Sequence, residues 1–384
     1  MVTNRSHNPS DIFIVGSGQT DFVPSHRANT STSELLFSAA LEALADAGLN
    51  WQDIDGLGLS SFTAAPDHAI DFAVRWNIKP RWLMDSALGG ASGIDLLQHA
   101  HNAIAAGSAQ HILLVSGDHF ENDDFADLVR RYNRSAMTDF PDMPAAGPNA
   151  NFALLTQLQM ARFGISRADY GGLVVRQRMW ASENPHAAHR SPLDLDEYLG
   201  SEMVADPLSR YDCVPVVSGA TAMVVSSEYR PNTVRILGTS AHHNWDSQNG
   251  DGLVTGIAIA APQLWQATGK SPKELDVVSV YDDYPAMAIA QLLDCGILDT
   301  PVSSSLQEIL SNGRPAINSS GGQLSAGQAG AAGGMQGLIE VSNALRDRGP
   351  ERTHGSALGL VCGYGMVTYR YGSCANVALL ERAK

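Results

Sequence analysis

"NSSGGQLSAGQAGAAGG", residues 318–334, opens on an amide and two hydroxyls and then places glycine at 321, 322, 327, 330, 333 and 334. Three readings compete: a flexible linker, a phosphate cradle, or the lining of an active site. A linker would lead into polar sequence, but an apolar, helix-patterned run, "MQGLIEVSNALRD" (335–347), follows at once. A phosphate cradle of the P-loop kind needs G-x-x-x-x-G-K-[ST], and this loop has no lysine. The remaining reading is a loop whose backbone N–H groups come close to a ligand before a helix begins.

The stretch has a twin. "GGASGIDLLQHAHNAIAAG" (89–107) is also a Gly-rich loop leading into a helix, with Ile94, Leu97, Ala100 and Ile104 on one face. An apolar strand follows each helix: "HILLVSGD" (111–118) in one half and "GSALGLVCGYG" (355–365) in the other. Further upstream, "AGLNWQDIDGLGLS" (47–60) parallels "TGKSPKELDVVSVY" (268–281). Such an internal repeat predicts two similar α/β halves. "DIFIVGSG" (11–18) reads as the first buried strand, and "STSELLFSAALEALADAGL" (31–49) as a helix capped by Ser or Thr and stopped at Gly48. Between 119 and 210 the pattern loosens into Asp-, Pro-, Met- and aromatic-rich sequence, read as an insertion that covers a site, with helices of its own. The expected division is 1–118 with 211–230 as the first half, 119–210 as the cover and 231–384 as the second half.

The composition limits the function. The 384 residues carry a net charge of −15 and 44% hydrophobic side chains, which suits a large core and argues against a general nucleic-acid binder. Cys213, Cys295, Cys362 and Cys374 show no C-x-x-C spacing and read as free thiols, pointing to a cytoplasmic setting. No apolar run suits a membrane span or a secretion signal. "LWQATGKS" (264–271) has Leu264 where a P-loop needs glycine, and "GSGQTD" (16–21) lacks the third glycine of a dinucleotide fingerprint. No G-x-S-x-G elbow occurs. His99 with His101, and His186 with His189, lack metal-ligand context, so no metal is expected.

In order and spacing, "DIFIVGSGQTDF" (11–22), "YDCVPVVSGATAMVV" (211–225), the 318–334 loop and "LVCGYG" (360–365) resemble the thiolase superfamily, in its sterol-carrier-protein-type branch, over nearly the whole chain. The resemblance implies a duplicated five-layer α-β-α-β-α sandwich, acyl-CoA thioester substrates, no tightly bound cofactor beyond the coenzyme A of the substrate, and a homodimer. The departures are chemical. Gly90 stands where the family's nucleophilic Cys would be, and Ser92 nearby reads as a helix N-cap. Gln328 replaces the loop histidine and cannot take a proton, and Tyr281 of "YDDY" replaces the Asn of an Asn-Glu-Ala-Phe-like motif. Only Cys362 matches a catalytic position of the family.

This pattern resembles the thiolase-like aldolases of steroid side-chain degradation, which work with a small OB-fold and zinc-ribbon partner. It implies a retro-aldol or aldol enzyme acting on a β-hydroxyacyl-CoA. The base is assigned to Tyr281 or Cys362. Asn318, Gln328 and N–H groups near Gly90 and Gly322 are assigned to the thioester oxygen. Tyr364 is the candidate second tyrosine, and Asp118, His119 and Asp283 are further polar candidates. Two alternatives stay open: an acyltransferase or Claisen-type enzyme, and a non-catalytic subunit that scaffolds a thiolase paralogue.

Overall fold

The computed structural model describes residues 11–121, 124–139, 147–367 and 370–383. The repeat seen in sequence becomes a pseudo-symmetric sheet. Its strand order is Ala316–Ile317, Val277–Ser279, Leu358–Gly365, Cys374–Arg382, Val234–Ala241, Phe13–Gln19, Val217–Ser226, His111–Asp118, Gly56–Ser60 and Trp82–Asp85. Reading outward from the middle, each half adds its strands in the same order. The halves join where Phe13 pairs with Arg235 and Ile14 with Val234. Within each half, the strands linked by helical crossovers run parallel, as Leu57 beside Leu113 and Val278 beside Leu360 do.

The layers follow from which faces are apolar. The twin helices Ser92–Ala105 and Gly333–Leu345 lie at the centre. Ile94 and Leu97 of one and Leu338 and Ile339 of the other share a core with strand residues from both halves. Glycine lets them touch: a Cβ at Gly93 would lie 2.1 Å from the Gly334 carbonyl oxygen. Outside the first half's strands sits Thr32–Ala47, which buries Leu36, Ala40 and Leu44. Outside the second half's strands sit Ile257–Thr268 and Pro285–Asp294. Helix, sheet, helix, sheet and helix give the five expected layers.

Local signals mostly meet their expectations. Ser31 and Glu34 form a capping box on Thr32–Ala47, and Gly48 ends that helix at φ 63°. Ser92 differs: the N-cap position is Ala91, and the Ser92 hydroxyl accepts instead from the Leu88 N–H at 2.9 Å, tying down the preceding turn. Between 119 and 210 the helices Asp124–Asp139, Gly147–Phe163, Arg167–Ala181 and Leu195–Leu199 form. Phe152, Tyr170 and Leu173 join the second half's outer core.

Candidate active site

The loop–helix junctions of both halves meet at one point. The turn at Gly89–Ala91 lies against the segment after the strand Val277–Ser279, which is "YDDY". A Cβ at Gly90 would lie 2.2 Å from Cε2 and 2.3 Å from Cζ of Tyr281. The tyrosine ring therefore fills the volume that any side chain at residue 90 would need. The absence of a side chain at residue 90 and the place of the Tyr281 ring are thus sterically linked, across two elements 191 positions apart in sequence.

The Tyr281 hydroxyl is held from two sides. Gln328 donates its amide N–H to it at 2.9 Å, and Nε2 also lies 3.5 Å from Oδ2 of Asp283. The hydroxyl in turn hydrogen-bonds the Asp283 carboxylate. Burial raises the Asp283 pKa from 3.8 to about 7, an effect the Tyr281 hydrogen bond only partly offsets. Oδ1 of Asp283 is buried and has no hydrogen-bond partner. The Tyr281 backbone is fixed by Gln291, whose Oε1 accepts from its N–H at 3.0 Å. An amide that donates, a phenol and a near-neutral carboxylate thus form a directed chain: Gln328 to Tyr281 to Asp283. Such a chain accepts a proton at the phenol oxygen while passing the phenol's own proton to the carboxylate.

The other assigned residues fall into distinct places. Asn318, fully buried at φ 52°, accepts from the Val280 N–H at 2.8 Å through Oδ1 and leaves Nδ2 without a partner. Cys362 lines the same small pocket as Tyr281, with Sγ 3.5 Å from Sγ of Cys295. That contact, followed by burial, pushes the Cys295 thiol well above its usual range. Gly322 adopts φ 61°, and the space its Cβ would take is filled by Asp282 Oδ2. Asp282 accepts from the Gln323 N–H at 2.8 Å and from Gln177 Nε2 at 2.9 Å, so it anchors the Gly-rich loop.

Three candidates are engaged elsewhere. The Tyr364 hydroxyl accepts from the Gly372 N–H at 2.8 Å, and burial raises its pKa. What this residue offers the site is its carbonyl oxygen, packed over Gly90. His119 shares a 2.7 Å hydrogen bond with Ser218. Asp118 is fully buried; its Oδ1 accepts from the hydroxyls of Ser61 and Thr63 and the N–H groups of Phe62 and Thr63, and its Oδ2 accepts from the Ala331 N–H. It clasps the first half to the Gly-rich loop. Among the described residues no group of three or more His, Cys, Asp or Glu side chains could hold a metal. No helix there is long and apolar enough to cross a membrane.

Comparison with known proteins agrees with this architecture. A family model described as "Thiolase C-terminal domain-like" matches residues 238–380. The chain is 28% identical to a 17-hydroxy-3-oxo-4-pregnene-20-carboxyl-CoA lyase of Mycobacterium tuberculosis, over 87% of this chain and 91% of that protein. It is 27% identical to a steroid side-chain-cleaving aldolase of Thermomonospora curvata, over 88% and 91%. A solved structure titled "Ltp2-ChsH2(DUF35) aldolase" superposes with a TM-score of 0.83 at 22% identity, covering 98% of this chain and 99% of that one. Residues 238–380 thus match a thiolase C-terminal domain, and over most of its length the chain is similar to this lyase and this aldolase.

Proposed function

We propose that the protein cleaves a C–C bond of a β-hydroxyacyl-CoA by a retro-aldol reaction, without a covalent acyl-enzyme. The observation that carries this reading is the Tyr281 ring over Gly90, with its hydroxyl bridged to Asp283. Where an acyl-accepting thiol would stand there is a proton-transfer group. The reaction removes the proton from the β-hydroxyl, and the Cα–Cβ bond breaks as the hydroxyl carbon becomes a carbonyl. The bonding pair passes to Cα and the thioester as an enolate, which then takes a proton at Cα. Tyr281 receives the hydroxyl proton and relays its own to Asp283. This removes the need for an acidified phenol, because the carboxylate is the final acceptor. Asn318 Nδ2, unpartnered by protein and next to the same strand, supplies a donor for the enolate oxygen, while the Gln328 amide stays on Tyr281 and Asp283.

The aldolase and lyase relatives support the same reaction class. Coenzyme A as part of the substrate fits those relatives as well. A homodimer, and a small OB-fold and zinc-ribbon partner bound to it, complete the proposed assembly; the paired name of the solved aldolase structure supports a heteromeric one.

The test is an assay of the protein, alone and with its co-purifying partner, on β-hydroxyacyl- and β-ketoacyl-CoA panels. Tyr281→Phe keeps the ring over Gly90 and removes the hydroxyl. Its kcat is expected to fall about 100-fold or more with the melting temperature nearly unchanged. Full cleavage by this variant would remove the tyrosine from the mechanism. An acyl group trapped on Cys362 by mass spectrometry would return the protein to covalent acyl transfer.

A further inference from the structure

The small pocket that holds Tyr281 and Cys362 shares part of its wall with a second, larger pocket outside it. The inner pocket measures ≈ 10 Å³, about the room of one water. The outer one measures ≈ 320 Å³ and is lined by polar side chains, among them Gln19, Asn184, Ser320, Asn343 and Arg348. Gln336 and Glu340 line both. They stand four residues apart on the central helix Gly333–Leu345, and so on one face of it.

The chemistry of this shared wall is unusual. Gln336 is 4% exposed, and neither its Nε2 nor its Oε1 has a hydrogen-bond partner in the protein. Gln323 Oε1, on the inner side, is also buried and unpartnered. Buried amide groups are almost always satisfied, and where protein does not do so, water does. Glu340 accepts from the hydroxyls of Ser319 and Ser320 at 3.0 and 2.6 Å, which fixes it as the polar floor beside Gln336.

We propose that the outer pocket is a solvent conduit to the catalytic pocket, and that Gln336 is the positioning residue that holds its water chain. One amide offers a donor to water on one side and an acceptor to water on the other. The conduit reaches the Tyr281 pocket through the central helix wall. The site can therefore exchange protons with solvent while a thioester occupies its mouth.

Part of the test rests on the aldol reading. Net cleavage needs no solvent proton, because the proton taken from the β-hydroxyl can return to Cα from Tyr281 and Asp283. Washout of α-hydrogen from the product acyl-CoA in deuterated water does need exchange with solvent. Gln336→Leu is expected to lower the ratio of washout to cleavage about tenfold or more relative to wild type. An unchanged ratio overturns the conduit. If the wild-type protein washes out α-hydrogen without cleaving any β-hydroxyacyl-CoA, the aldol reading fails, and the washout rate of Gln336→Leu against wild type still decides the conduit. A high-resolution crystal structure of the wild-type protein decides it independently of activity or variant folding. Ordered waters bonded to both Gln336 amide atoms, continuing into the outer pocket, are expected; a dry Gln336 would rule the conduit out.

Discussion

At the scale of single residues, the site turns on Gly90, Tyr281 and Asp283. Gly90→Ala would drive a methyl group into the Tyr281 ring. Its expected cost is about 1–3 kcal/mol in stability, together with loss of cleavage as the hydroxyl leaves Asp283; calorimetry and the cleavage assay check both. Asp283 predicts two opposite pH effects. Its pKa is raised to about 7 by burial, so between about pH 4 and 7 the folded state holds a proton that the unfolded chain has lost. The stability linked to the neutral carboxyl is full below about pH 4 and is lost as pH rises through about 7. As a base the group works only when ionised, so kcat should rise with pH along a limb centred near 7. Asp283→Asn should remove both slopes, seen in melting curves and in the pH–rate profile. The sequence made Tyr281 a candidate but ranked Asp283 low. No spacing rule says that the second Asp of "YDDY" meets the phenol while the first, Asp282, anchors the loop. Their different hydrogen-bond partners in the folded chain separate them.

At the scale of elements, the Gly-rich stretch is a loop held by two carboxylates, Asp118 and Asp282. Asp118 ends a strand of the first half and accepts from five donors, one of them in the Gly-rich loop. Asp118→Ala strands those buried donors and is expected to cost at least about 3 kcal/mol in denaturant unfolding. Activity should fall with it, since Gln328 sits in the loop that Asp118 holds. Sequence reading placed Asp118 among the further polar candidates. Its full set of local donors shows a structural clasp instead. The Ser or Thr cap at the start of Thr32–Ala47 and its stop at Gly48 were legible, because each depends on neighbours a few positions away. Ser92 was misread as a cap: the turn before it folds back and takes its hydroxyl.

At the scale of the molecule, the two halves are clasped by charge as well as by the shared sheet and central helices. Asp46, at the end of the helix Thr32–Ala47, binds Arg346 at 2.7 and 3.0 Å, beyond the C-terminal end of the second central helix. Burial works to raise the Asp46 pKa, but Arg346 and Arg348 outweigh it and hold it below its usual value. That stabilisation is present above the unfolded pKa and lost as pH falls. Arg346→Leu leaves a largely buried carboxylate without its bidentate partner and should cost about 3 kcal/mol, read as a lower denaturant midpoint at neutral pH. The sequence by itself determined the duplication into two α/β halves and the two Gly-rich loop–helix junctions; the five layers and the departures at Gly90 and Gln328 were what the family resemblance implied. The repeat and the junctions follow from periodicity and glycine placement, both of which are local. Tertiary structure alone decided that the Tyr281 ring occupies the place above Gly90 and that Asp283 is the carboxylate it meets. It also decided that Tyr364, His119 and Asp118 are engaged elsewhere, and that Gln336 stands between two pockets. Those are contacts between segments far apart in sequence, and burial and distance come into being only when the halves close on each other.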